Sequence, residues 1–69
     1  MKIYLRLPEL LKEHELTQKE LAELTGIRAA GINDMVNYEK KMLNRRQLEK
    51  IAEVLDLEDI SELIVFKDE

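Results

Sequence analysis

The sequence contains no cysteine, and its 69 residues include only one histidine, His14. Without cysteine the chain can form neither a disulfide framework nor a thiolate metal site, and one histidine does not make a histidine-rich metal centre. We therefore expect no metal and no other cofactor. Two glycines and one proline argue against a β fold rich in turns, whereas abundant Leu, Glu and Lys favour helices.

Long apolar segments are also missing. The longest runs from Leu63 to Phe66, which is far too short to span a membrane. The first residues lack the extended apolar centre of a signal peptide. We therefore expect a soluble, cytoplasmic protein with no membrane partner. A chain of this length has room for one domain, whose small core is expected to need tight helix packing or a partner subunit.

Few side chains are suited to catalysis. The chain has one serine, Ser61, and its histidine lies between two glutamates. We expect His14 to cap the end of a helix or to lie at the surface. No glycine-rich loop that could cradle a phosphate is present. A hydrolase or kinase needs more functional groups than this, so we predict that the chain is not an enzyme and takes no small-molecule substrate.

Charge is unevenly distributed along the chain. The formal net charge of −4 disfavours a nucleic-acid partner by itself. Residues 38–50 nevertheless carry five basic and two acidic side chains, whereas residues 51–69 carry one basic and seven acidic side chains. Because the local field matters more to a phosphate partner than the total charge, the basic segment is a candidate phosphate-binding region.

The spacing of apolar residues predicts a helical domain with a short strand at each end. Alternation predicts a strand over residues 2–7, and residues 64–66 form a second predicted strand. These strands either pair within the chain or leave an edge open to a second copy. Helical spacing predicts five helices, the fourth capped by Asn44. They cover residues 8–15, 17–25, about 28–37, about 45–55 and about 59–63.

The second predicted helix has the clearest end signals. Thr17 and Glu20 have the spacing of a capping box, and Gly26 stands where a helix commonly ends in a left-handed conformation. Small Ala22 lets the next helix cross closely. Two helices joined by so short a turn indicate a helix-turn-helix, with its core at about residues 17–37.

A set of residues spread over nearly the whole chain matches a known pattern. Its members are Leu10-Leu11, Leu16 to Ala22, Thr25 to Ile27, Ile32, Asn37, Leu48, Ile51-Ala52, Leu55, Ile60 and Leu63. The set resembles the lambda-repressor/Cro-like (Xre) helix-turn-helix family over roughly residues 6–64. The resemblance implies an all-α, five-helix DNA-binding domain, here expected over residues 1–69. It also implies a bacterial or phage transcriptional regulator that acts as a dimer, and we expect a repressor.

The resemblance also indicates which residues contact double-stranded DNA. In the exposed part of the third helix, Arg28 is expected to pair with guanine, Asn33 with adenine, and the Ala29 methyl with a thymine methyl. Phosphate contacts are expected from Gln18, Lys19, Asn37, Lys40, Lys41, Arg45 and Arg46.

The third helix also supports a second hypothesis. Ala29, Ala30 and Gly31 form a small, smooth face, and Asp34 would face a negatively charged duplex. Arg28 is a poor helix N-cap. The alternative is therefore a protein-interaction module on the same fold, which binds another regulator rather than DNA.

Overall fold

A computed structural model describes residues 1–37 and 42–68 of the chain. Within these residues the fold consists of four α-helices, a short 3₁₀ turn and two strands. In chain order the elements are β1 (Lys2–Leu5), α1 (Leu7–Glu13), α2 (Gln18–Thr25), α3 (Ala29–Val36), α4 (Arg45–Val54), the 3₁₀ turn Ile60–Glu62 and β2 (Ile64–Lys67). In the described part of the chain, no helix has the length and apolar character needed to cross a bilayer.

The predicted fifth helix is wrong. Where a helix was expected over residues 59–63, the structure has only the three-residue 3₁₀ turn Ile60–Glu62. The Leu63 carbonyl accepts a hydrogen bond from the Arg6 backbone N–H at 2.7 Å, so the chain leaves the turn for strand β2 immediately. Within the turn, the Glu62 N–H bonds the Asp59 carbonyl and the Leu63 N–H bonds the Ile60 carbonyl, which is the three-residue spacing of a 3₁₀ turn and not the four-residue spacing of an α-helix.

The two strands form an antiparallel two-stranded sheet within the chain. Leu5 lies opposite Ile64, and Ile3 lies opposite Phe66. β1 ends at Leu5, two residues before the predicted end of the first strand, because Leu7 already belongs to α1. Leu5 is buried against the core, whereas Ile3 and Phe66 are 56% and 67% exposed. The sheet therefore joins the two ends of the described chain and leaves an apolar pair at its outer end.

The core lies between the four helices and the start of β2. Its largest fully buried side chains are Leu7, Leu21, Ile32, Met35, Ile51 and Leu63. Every α-helix contributes to this set, so the helices are held to one another by shared apolar contacts. Burying one such side chain contributes about 1.5–3 kcal/mol.

Local signals fix the ends of two helices. The Thr17 side chain accepts from the Glu20 backbone N–H at 3.0 Å, and the Glu20 carboxylate accepts from the Thr17 N–H at 3.0 Å. The predicted capping box is thus confirmed. The Asn44 side chain accepts from the Gln47 N–H at 3.1 Å, which confirms Asn44 as the cap of α4.

His14 connects the ends of two helices. As predicted, it caps α1, because its Nδ1 lies 2.9 Å from the Leu10 carbonyl. Its Nε2 lies 3.2 Å from the Leu55 carbonyl at the end of α4. A neutral imidazole carries one N–H and donates to one of these two carbonyls at a time. The ring still lies between the ends of α1 and α4, and it contacts a residue 41 positions away in sequence.

Candidate nucleic-acid interface

The turn between α2 and α3 is locked by three residues. Gly26 has φ of +76°, a backbone conformation that glycine adopts more readily than other residues. An added Cβ would meet no atom within 4 Å, so glycine is favoured here by its backbone conformation and not by lack of space. The buried Thr25 hydroxyl donates to the Leu21 carbonyl at 2.8 Å and accepts from the Ile27 N–H at 3.2 Å. Ile27 is itself buried. These contacts fix where α3 begins relative to α2.

The two sides of α3 differ completely in exposure. Ile32 and Met35 are buried in the core. The opposite face is exposed and carries Ala29, Ala30, Asn33 and Asp34. The residues predicted to contact bases therefore share one solvent-facing surface with Asp34.

Arg28 occupies the N-cap position of α3 without capping it. Its backbone is extended and its side chain makes no capping hydrogen bond, as expected of a poor N-cap. Arg28 is exposed, and it forms no ion pair within residues 1–37 and 42–68. Its guanidinium is therefore available to an external acceptor.

A groove of about 560 Å³ runs between the start of α3 and α4. We call it the cationic groove. Its lining consists of Thr25, Gly26, Ile27, Arg28, Gly31, Asn44, Arg46, Gln47 and Lys50. The groove brings Arg28, predicted to read a base, together with Arg46, predicted to bind a phosphate. No carboxylate is found among these lining residues of the described chain, so an anion in the groove meets charge of one sign.

Lys50 is a lining residue that is absent from the contacts predicted from the sequence. Lys50 lies four residues after Arg46, which places both on the same face of α4. This spacing was the signal that could have identified it. The Lys50 ammonium lies 3.8 Å from the Glu53 carboxylate, a partly exposed ion pair that leaves the side chain at the edge of the groove.

Arg45 lies apart from the cationic groove. It is 92% exposed, and its Nε lies 3.6 Å from the Glu49 carboxylate. It lines a second groove with Leu48, Glu49 and Ile60 rather than with Arg28. Arg45 and Arg46, both predicted to bind phosphate, therefore line different grooves.

Three predicted contact residues are joined by hydrogen bonds between their side chains. Asn33 Nδ2 donates to Gln18 Oε1 at 3.1 Å, and Asn37 Nδ2 donates to Asn33 Oδ1 at 3.1 Å. We call this set the amide chain. It connects the first residue of α2 with the middle and the C-cap of α3.

Three predicted phosphate contacts, Lys19, Lys40 and Lys41, belong to neither the cationic groove nor the amide chain as the structure describes them. Lys19 is exposed on α2. Lys40 and Lys41 lie outside the described residues. Among the residues that the structure does describe, no group of three or more His, Asp or Glu side chains is placed to share a metal ion.

The chain was compared with known protein families. The model of the Cro/C1-type HTH DNA-binding domain matches residues 6–69. This range contains all four α-helices and β2, and it includes both the cationic groove and the amide chain. The resemblance seen in the sequence is confirmed. No curated protein and no solved structure was found to match the chain.

Proposed function

The chain belongs to the family of Cro/C1-type helix-turn-helix DNA-binding domains, and we propose that it is a sequence-specific transcriptional regulator of bacterial or phage type. In this proposal α3 enters the major groove of double-stranded DNA and the protein acts as a homodimer. It represses by occupying its operator, a mode that requires nothing beyond tight and specific binding. The observation that carries the proposal is that the exposed face of α3 adjoins the cationic groove.

Charge distribution supports a DNA partner despite the net charge of −4. Arg28, Arg46 and Lys50 all line the cationic groove. Clustered cations create a local positive potential that attracts phosphate even when the whole molecule is acidic. Acidic residues are concentrated in the sequence after α4, away from the segment that supplies Arg46 and Lys50.

The proposed contacts fall into two groups. Arg28, Ala29 and Asn33 face the base edges, and the small side chains of Ala29 and Ala30 allow the helix to approach closely. The phosphate contacts are Gln18, Lys19, Asn37, Lys40, Lys41, Arg45 and Arg46. Lys50 joins this second group because it shares the cationic groove with Arg46.

The outer end of the sheet supports the dimer. Ile3 and Phe66 face each other across β1 and β2 and are mostly exposed. Pairing with a second copy along a sheet edge would cover this apolar pair and enlarge a small core. A two-fold dimer predicts a two-fold symmetric operator whose half-sites lie one helical turn apart.

Selection from random DNA duplexes at about 50 mM salt, where phosphate contacts are strong, tests the proposal. We expect enrichment of a two-fold symmetric sequence. The proposal would be overturned if the purified protein bound no duplex at low salt.

One observation favours the alternative, a protein-interaction module. Asp34 lies exposed on the face of α3 that would meet DNA, where its carboxylate would repel phosphates. The variant Asp34→Asn separates the two functions. If DNA is the partner, we expect its duplex affinity to rise about threefold, because a like charge close to the duplex is removed. If a protein is the partner, neither form should bind duplex.

A further inference from the structure

We propose that Asn33 is a positioning residue, which holds Gln18 and Asn37 in the orientation that a DNA phosphate requires. This inference rests on the proposed DNA-binding function. It assigns Asn33 a role through its neighbours on the protein, in addition to its place beside the bases.

The geometry of the amide chain places Asn33 at its centre. Its Nδ2 donates to Gln18 Oε1 and its Oδ1 accepts from Asn37 Nδ2, each at 3.1 Å. Asn33 thus connects two residues that lie 19 positions apart in sequence and that are both predicted to contact phosphate. Neither of them bonds directly to the other in the described structure.

The direction of these hydrogen bonds determines what the amide chain offers to a ligand. Because Gln18 Oε1 is occupied by Asn33, the Nε2 group of Gln18 keeps both of its N–H bonds without an acceptor among the described residues. Asn37 Nδ2 keeps one further N–H. Phosphate oxygens only accept hydrogen bonds, so these outward donors match a phosphate.

The three carboxamides are also coupled in their orientation. Turning Gln18 alone would set its NH₂ group against the NH₂ group of Asn33, which is unfavourable. The groups can therefore reverse only together. A phosphate that accepts from Gln18 favours the orientation of the Gln18 carboxamide seen in the structure. Through its two hydrogen bonds, Asn33 then favours the matching orientation of the Asn37 carboxamide.

The same bonds limit direct base recognition by Asn33. Pairing with adenine uses the Nδ2 donor and the Oδ1 acceptor of one asparagine at the same time. In this chain both atoms are already bonded to protein side chains. Each atom keeps one further position, a second N–H on Nδ2 and a second lone pair on Oδ1. Two-point adenine recognition would have to use these positions with the carboxamide held in the orientation that its bonds to Gln18 and Asn37 fix.

The first test uses the free protein and the side-chain amide signals in a ¹⁵N–¹H NMR spectrum. In Gln18→Ala we expect the NH₂ signals of Asn33 and, through it, of Asn37 to shift. The matched control is Lys19→Ala, the next exposed residue of α2, which should leave both signals in place. Unchanged Asn33 and Asn37 signals in Gln18→Ala would overturn the coupling.

The second test measures duplex binding by Asn33→Ala. Alanine favours a helix more than asparagine does, so this exposed substitution should not unfold α3. We expect affinity to fall about tenfold for every sequence, the size of one lost hydrogen-bond link. The enriched sequence and the salt dependence should stay the same, because a neutral amide releases no counterions. The positioning role would be overturned if Asn33→Ala lost the preference for adenine at one position of the operator while the other positions kept theirs.

A double variant completes the test. If Asn33 acts through Gln18, Gln18→Ala combined with Asn33→Ala should bind about as weakly as the weaker single variant, because coupled residues are not additive. Additive losses would contradict the proposal. A wild-type protein that bound no duplex would instead overturn the proposed function, whereas the NMR comparison would still report on the amide chain itself.

Discussion

Two grooves share α4 as a wall, and their linings differ in charge. The cationic groove contains Arg46 and Lys50, with no carboxylate among its described lining residues. The second groove, of about 300 Å³, sets Arg45 among carboxylates and apolar side chains. These additional lining residues are Leu48, Glu49, Ala52, Leu57, Glu58, Asp59, Ile60 and Leu63. We call it the acidic groove. Consecutive arginines therefore face opposite electrostatic surroundings, because neighbours on a helix point about 100° apart.

The largest expected effect is on the free energy of unfolding, when the core contact that anchors α4 beneath both grooves is removed. Ile51 on α4 is completely buried. We expect Ile51→Ala to lower the free energy of unfolding by about 2–5 kcal/mol, since it leaves a cavity in the core. Denaturant unfolding measures the change. The matched control is Ile60→Ala in the acidic groove, where the side chain is 60% exposed and a much smaller loss is expected. Equal losses would show that α4 is not anchored as described.

Comparing the two arginines tests the difference between the grooves directly. We expect Arg46→Ala to weaken duplex binding about tenfold and to reduce the slope of log affinity against log salt by about 0.9, the value for one released counterion. Arg45→Ala should have a smaller effect, because Arg45 is already paired with Glu49. Affinity measured at several salt concentrations gives both quantities. A larger loss of affinity in Arg45→Ala than in Arg46→Ala would show that Arg45, and not Arg46, makes the main phosphate contact.

The end of α4 depends on a contact from α1. His14→Ala removes the ring whose two nitrogens lie within hydrogen-bond distance of the Leu10 and Leu55 carbonyls, one of which accepts from the N–H of a neutral imidazole. We expect the free energy of unfolding to fall by about 1 kcal/mol, which thermal or urea unfolding would detect. Lys12→Ala, an exposed change on the same helix, is the control. A loss no larger than that of Lys12→Ala would mean that His14 does not hold α4.

The smallest expected effect is on the pH dependence of stability, when Asp59 in the acidic groove is replaced. A hydrogen bond from the Ser61 backbone N–H, with help from the Ser61 side chain, lowers the pKa of Asp59 from its ordinary 3.8. A lowered pKa stabilises the folded state above the ordinary value, and this stabilisation disappears as pH falls through the lowered pKa. Asp59→Asn should therefore reduce the loss of stability below pH 3.8. Unfolding midpoints between about pH 2 and 5 would show it, and identical profiles would contradict it.

Local signals were sufficient to predict most helices. Thr17, Glu20 and Gly26 determine the ends of α2 through contacts made within a few residues, so spacing alone identified them. Asn44 did the same for the start of α4. The family resemblance then followed from the apolar residues that hold α2 and α3 together.

Contacts between distant residues could not be predicted in this way. The segment after α4 is bound to the first strand region by such a contact, since the Leu63 carbonyl accepts from the Arg6 N–H, and the spacing of residues near 60 does not reveal it. The bond between Asn33 and Gln18 likewise joins two helices. The sequence gives the residue type of Asn33, which suits a base contact, but it does not show that Asn33 is hydrogen-bonded to Gln18 and Asn37.

The central claim is that the cationic groove and α3 form one DNA-binding surface. The most direct measurement is the salt dependence of duplex affinity in wild type and in a double variant, Arg28→Ala with Arg46→Ala. The account predicts a steep loss of affinity with salt in wild type. In the double variant it predicts a slope shallower by about 0.9, for the phosphate contact of Arg46, together with a loss of preference for guanine at the position that Arg28 reads. An unchanged slope and an unchanged base preference would contradict the account, because they would mean that Arg46 contacts no phosphate and that Arg28 reads no base.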